Sequence, residues 1–232
     1  MKNILIAGSS KNLGFYIKNS LSKSFNVISL SSKIKTIEKK NSFKCDLSNE
    51  RITKSVLLKI KKKFHSLDAI IFSVGYSKKK NNNLKNLYEK FNLNFVTFFN
   101  LLENYCRIFK NKKTKFIVIS SIVTEKTIID APSDYVISKA ALKSYVHYKA
   151  KELAKYKIVI NIISPGNILL PKNNWDKRLK KNKYSTKKYI KDNVPLNKFI
   201  SGETISNACK FLIDNKNEVT GTNIVLDGGQ IL

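Results

Sequence analysis

Short apolar runs alternate along this chain with longer stretches whose apolar residues recur every three or four positions. The runs at 3–7, 26–30, 69–73, 115–120, 158–163 and 223–226 read as strands. Between them, 13–24, 48–62, 84–110, 133–154 and 203–214 carry the helical period. Strands that are apolar throughout need cover on both faces, and strand–helix alternation supplies it. The pattern predicts an α/β fold: a doubly wound parallel sheet with helices on both faces. No linker, repeat or composition break divides residues 1–232, so one domain is expected. The stretch 171–198, rich in Lys, Asn and Tyr, has no readable period. It is either a disordered insertion or a segment that covers a substrate.

Composition narrows the class. The chain has 232 residues, 42% of them apolar, enough for a sizeable core. No apolar stretch approaches a membrane span, and residues 3–7 are too short for a signal-peptide core. Cys45, Cys106 and Cys209 are odd in number and lack ligand spacing. They read as reduced thiols of a cytoplasmic protein. His65 and His147 have no acid or thiol cluster around them, so no metal site is expected. The net charge of +28 comes from Lys spread along the whole chain, with only Arg51, Arg107 and Arg178 as arginines. A nucleic-acid surface would use Arg for bidentate contacts, so nucleic acid is not the expected partner. The charge fits solvated faces, or attraction to an anionic cofactor or acidic carrier.

Two patterns carry chemistry. Tyr135 and Lys139 lie four apart in a predicted helix and therefore on one face. A phenol titrates near about 10, and a neighbouring ammonium draws it towards neutrality, where it can exchange protons with a substrate. After the first strand, Gly8-Ser9-Ser10-Lys11-Asn12-Leu13-Gly14 opens a helix. Gly8 permits a tight turn and Gly14 lets the helix approach the sheet. The helix start then offers N–H groups to a pyrophosphate.

Together with the rest of the chain these residues resemble the short-chain dehydrogenase/reductase family, from residue 4 to residue 229. Its TGxxxGxG turn runs from Ala7 to Gly14, with Ala7 in place of the Thr and Asn12 in place of the middle Gly, and its adenine-pocket Asp is matched by Asp46 in Cys45-Asp46-Leu47. Phe72-Ser73-Val74-Gly75 stands where the family has Asn-Asn-Ala-Gly. Asn92-Leu93 matches the Asn-Leu pair of the central helix, and Ile119-Ser120-Ser121 the strand end bearing the serine. Asn161 through Ser164-Pro165-Gly166-Asn167-Ile168, then Pro195-Leu196, Gly202-Glu203, Phe211-Leu212, Val219-Thr220-Gly221 and Asp227-Gly228-Gly229 follow the closing pattern in order.

The resemblance implies roles. Tyr135 is the general acid/base, and Lys139 lowers its pKa and holds the nicotinamide ribose. Ser121 holds the substrate oxygen, with Ser120 the alternative, and Asn92 anchors a relay water. The Ser121–Tyr135 separation is one residue longer than usual for the family. The dinucleotide is expected on Gly8, Ser10, Lys11, Asn12, Leu13 and Gly14, then Ser32 and Lys33, Asp46 and Leu47, and Ser73, Val74 and Gly75. Tyr135, Lys139, Pro165, Gly166 and Ile168 complete the set.

The second strand ends Leu30-Ser31-Ser32-Lys33 without a carboxylate, which suits a 2′-phosphate; Lys11 matches a basic residue of NADP-preferring members. NADP(H) is therefore expected over NAD(H). The expected substrate is a small-molecule or carrier-bound carbonyl, and three readings stand. One is a 3-oxoacyl thioester reductase, the family branch that the closing motifs resemble most. The second is a sugar or nucleotide-sugar keto-reductase of a surface-polysaccharide pathway. The third is a non-catalytic dinucleotide-binding regulator. Trp175 and Tyr184 are candidates for a substrate lid or its apolar anchor. The aromatic stripe 91–99 and the family's usual helix pairing imply a homodimer or homotetramer.

Overall fold

The computed structural model describes residues 1–33, 41–77, 83–109, 113–214, 216 and 218–232. Seven strands form one sheet in the order β3-β2-β1-β4-β5-β6-β9, with every pairing parallel. They are β1 (Asn3–Ala7), β2 (Asn26–Ser31), β3 (Ser42–Lys44), β4 (Ala69–Phe72), β5 (Thr114–Ile119), β6 (Ile158–Pro165) and β9 (Asn223–Leu226). The helices are α1 (Asn12–Leu21), α2 (Glu50–Phe64), α3 (Leu84–Phe91), α4 (Thr97–Ile108), α5 (Ser133–Leu153), α6 (Asn174–Lys181), α7 (Lys183–Asn193) and α8 (Gly202–Asp214). This is the doubly wound Rossmann-type sheet that the alternation predicts.

Alternate residues of one strand feed two cores. In β1, Leu5 and Ala7 join the cluster under α2, α4 and α5, while Ile4 and Ile6 join the one under α1 and α8. Each side chain removed from water contributes on the order of 2 kcal/mol, so a polar residue within these strands would be costly. Helix α2 shows how local sequence sets an element. Asn49 accepts the Ile52 N–H at 3.0 Å as the cap. Thr53, Val56, Leu57 and Ile60 then form the buried stripe, and Lys61, Lys62 and Lys63 meet the negative end of the helix dipole.

The chain winds outward from β1 to β3 and returns to place β4 on the other side of β1. The crevice at the carboxyl ends of β1 and β4 is the topological switch point, where open α/β sheets bind ligands.

Three expectations shift. The predicted helix 84–110 is α3 and α4 joined by a π-helical turn, Asn92–Val96; Lys110 lies outside the described residues. The short edge strand β3 has no run of its own long enough to read. The stretch 171–198 folds into α6 and α7, followed by β8 (Ile200–Ser201), which pairs with β7 (Ile168–Leu169). Among the described residues, no helix is long and apolar enough to cross a membrane.

Candidate active site

A cleft of about 960 Å³ opens at the switch point. All the residues expected at a dinucleotide line it: Gly8 and Ser10 to Gly14 of the turn, Ser32 and Lys33, Asp46 and Leu47, Ser73 to Gly75, and Pro165, Gly166 and Ile168. Ser121, Tyr135 and Lys139 line the same cleft.

The turn after β1 is built for close approach. Gly8 has φ +85°, and a Cβ there would sit 2.8 Å from the Ser73 carbonyl oxygen. A Cβ on Gly14 would lie 2.2 Å from the Gly8 carbonyl oxygen, so the start of α1 rests directly on the turn. Lys11, with extended backbone, precedes α1 and uses no side-chain cap. The first N–H groups of α1 have no helical acceptors and face a cleft able to hold an anion. These features fit a dinucleotide pyrophosphate. At the end of β2, Ser31 is buried while Ser32 and Lys33 are exposed, leaving hydroxyl and ammonium groups available. Asp46 spends one carboxylate oxygen on the Ser48 N–H (3.0 Å) and hydroxyl (2.7 Å).

Helix α5 positions Tyr135 and Lys139. Its first turn is fixed by Asp134, whose Oδ1 accepts the Tyr135 N–H at 2.8 Å and the buried Lys90 ammonium at 2.7 Å. The Tyr135 ring is partly open to the cleft, and its hydroxyl hydrogen-bonds Ser121. Ser121 also caps the short 3-10 turn Ile122–Thr124. The chain between Ser121 and α5 thus accommodates the extra residue while Ser121 and Tyr135 still meet. Ser120 ends the β5 ladder, its N–H bonded to the Ile163 carbonyl and its hydroxyl buried without a protein partner among the described residues.

Lys139 is 3% exposed and donates to the Ile119 carbonyl at 3.0 Å. Burial pulls its pKa from 10.5 down to about 8. A Cβ on Gly75 would stand 3.4 Å from its Nζ, so this glycine gives the ammonium room at the cleft floor. The Tyr135 phenol departs from the expected direction. Burial pushes it above its ordinary value of 10, and the Ser121 hydrogen bond opposes the rise without reversing it. Lys139 is itself desolvated and engaged with a carbonyl, so its pull does not prevail. A raised phenol keeps its proton through neutral pH, the state a proton donor needs.

The structure corrects the asparagine. Asn92 is exposed, whereas Asn94, two residues on, is fully buried beside Lys139 and Gly75. Asn94 Oδ1 accepts the Tyr76 N–H at 2.8 Å, and its Nδ2 donates to the Ser138 hydroxyl at 2.9 Å. Ser138 in turn donates to the Tyr135 carbonyl at 2.9 Å. One side chain therefore ties the loop after β4 to the first turns of α5. The helical period carried this signal. Asn94 shares its stripe with Phe98, Leu101 and Tyr105, all 0% exposed, whereas Asn92 aligns with the exposed Tyr88 and Phe99. The π-helical turn brings an extra residue into this register.

The closing motif braces the far wall. Asp227 accepts the N–H groups of Gly229 and Ile231, both at 2.9 Å, and a Cβ on Gly166 would meet the Asp227 Cβ at 2.9 Å. His65 and His147 lie outside the cleft lining, and Tyr184 is 80% exposed. Trp175 lines the cleft and also packs on Tyr189 and Phe199.

The family model described as Enoyl-(Acyl carrier protein) reductase matches residues 21–230, and this chain belongs to the short-chain dehydrogenase/reductase family that it represents. A 3-oxoacyl-[acyl-carrier-protein] reductase FabG of Buchnera aphidicola subsp. Acyrthosiphon pisum is 28% identical over 197 residues, 82% of this chain and 77% of the relative. A short-chain dehydrogenase from Leptospira borgpetersenii serovar Hardjo-bovis with bound NAD+ has a TM-score of 0.86 at 24% identity, covering 100% of this chain and 93% of that one. ElxO with NADP bound has a TM-score of 0.86 at 22% identity, covering 99% and 98%. The structural likenesses extend to the fold. Family membership, with Ser121, Tyr135 and Lys139 gathered in one cleft, defines an NAD(P)-dependent oxidoreductase.

Proposed function

We propose that this protein reduces a carbonyl to a secondary alcohol with NADPH, and that its substrate is a 3-oxoacyl thioester. The observation that carries the reaction type is the meeting of Tyr135 with Ser121 in the cleft that the buried Lys139 also lines. A dihydronicotinamide bound in the cleft supplies the hydride. Ser121 holds the substrate oxygen within reach of Tyr135. The Tyr135 O–H bond breaks and its proton passes to that oxygen, completing the alcohol. Lys139, charged below about pH 8, steadies the phenolate that remains and holds the ribose hydroxyls. Asn94 keeps the Tyr76 loop and α5 in register, in place of the role expected of Asn92.

Support for NADPH comes from the end of β2. Ser32 and Lys33, with Lys11 across the cleft, suit a 2′-phosphate that a carboxylate would repel. The thioester reading rests on the FabG relative and on a basic surface suited to an acidic carrier. Self-association through the outer faces of α4 and α5 accords with the exposure of Phe99, Ile137 and Tyr148 there.

The test is NADPH oxidation against a panel of acetoacetyl thioesters and keto sugars, with NADH in parallel. Preferential turnover of thioesters with NADPH supports the reading. Turnover of keto sugars alone would replace the substrate, and a tenfold preference for NADH would overturn the cofactor assignment.

A further inference from the structure

The lid beside the reacting groups is organised around Trp175, the one tryptophan of the chain. Its ring lies 5.3 Å from that of Tyr189 on α7 and 5.5 Å from that of Phe199, centroid to centroid. Over this aromatic platform sits Arg178, its guanidinium carbon 4.5 Å from the Trp175 centroid and 5.4 Å from that of Tyr189. The rings cover the guanidinium from one side while the side chain stays exposed, and a guanidinium can receive a carboxylate or phosphate in bidentate fashion.

No carboxylate among the described residues pairs with Arg178. Asp176, the one acid of α6, is engaged by Lys180 at 2.9 Å and by the Lys172 N–H at 2.7 Å. Lys172, Lys177 and Arg178 all line the cleft that holds Ser121 and Tyr135. The acids lining that cleft, Asp46, Glu89 and Asp130, come from other elements. In a chain that has three arginines among 44 Lys and Arg, a guanidinium here supplies what lysine cannot, a planar fork held by rings.

We infer that the substrate carries an anionic group, a carboxylate or a phosphate ester, which Arg178 receives on the Trp175 platform with Lys172 and Lys177 beside it. The inference deepens the reductase reading and rests on it for what the other end of the molecule undergoes. It asks more than general basicity, because it assigns the anion to one side chain on one wall.

Trp175 fluorescence reads the lid directly and needs no turnover. The protein would be titrated, with and without saturating NADP+, with three probes: acetoacetate, acetoacetyl-4′-phosphopantetheine and the neutral acetoacetyl-N-acetylcysteamine. With NADP+ present, an anionic probe should bind at least about tenfold more tightly than the neutral one, the scale of one charge-assisted hydrogen bond. The preferred anion distinguishes carboxylate from phosphate ester. Arg178→Gln should remove most of that preference and Arg178→Lys retain part of it, while an unchanged melting temperature and far-ultraviolet circular dichroism of the free variants show the helices of the lid intact. Equal binding of neutral and anionic probes overturns the inference, as does a preference that survives in Arg178→Gln. An anion response that vanishes once NADP+ is bound also overturns it, assigning the lid cations to the dinucleotide. Failure to reduce any ketone would count against the reductase reading alone, since probe binding is measured separately.

Discussion

Replacing Lys139 with methionine should abolish turnover and yet make the folded protein more stable. The Lys139 ammonium is 3% exposed, and its one described hydrogen bond goes to the Ile119 carbonyl at 3.0 Å. A fall in pKa from 10.5 to about 8 corresponds to roughly 3 kcal/mol of disfavour for the buried charge, at about 1.4 kcal/mol per pH unit. Methionine fills similar space without the charge. The Ile119 carbonyl loses its donor, which costs about 1 kcal/mol. The net gain near neutral pH is roughly 2 kcal/mol, or a rise in Tm of about 4–8 °C for a chain of this size. The sign of the pH dependence follows from the two titrations. Folded Lys139 releases its proton near pH 8, whereas the unfolded side chain keeps it to about 10.5. Between those values the unfolded chain holds more protons, so wild-type stability from this group rises with pH. The variant's advantage is therefore full below pH 8 and gone by about pH 10.5. Paired thermal melts of the two proteins across pH 7–10.5 measure it. A variant that melts at or below wild type at pH 7, or an advantage that does not shrink with pH, refutes the reasoning.

Asn94→Ala should lower stability by about 1–3 kcal/mol, because the Tyr76 N–H loses its buried acceptor, and should reduce kcat as well. Asn92→Ala, at an exposed position, should stay within about 0.5 kcal/mol of wild type by denaturant unfolding. Ser121→Ala should raise the Tyr135 pKa further, read by ultraviolet titration, since the hydrogen bond that opposes the rise is gone; its kcat should fall about 10–100-fold. Lys33→Glu should raise KM for NADPH at least about tenfold and leave NADH less affected, as a carboxylate there repels a 2′-phosphate.

The sheet was legible because its strands are apolar on both faces, and Ile4-Leu5-Ile6-Ala7 can serve two cores only between two helical layers. The tight turn after β1 was legible because Gly8 and Gly14 answer steric demands that no other residue meets. Asn94 was hidden by a neighbour of the same type; the apolar stripe through Phe98 and Leu101 would have chosen between the two. Helices α6 and α7 were illegible by periodicity because most of their exposed positions are Lys or Asn. Their caps were visible nonetheless: Asn173 accepts the Asp176 N–H and Asn182 the Ser185 N–H. The rise in the Tyr135 pKa could not be read from four-residue spacing, which gives proximity to a cation but says nothing of burial.

Proton donation by Tyr135 is the centre of the account, and Tyr135→Phe isolates it by removing one oxygen while keeping the ring. Single-turnover hydride transfer, followed as NADPH absorbance with the best ketone of the panel, should slow by about 10²–10⁴-fold, while NADPH still binds with wild-type affinity. A variant that transfers hydride within twofold of the wild-type rate contradicts the assignment.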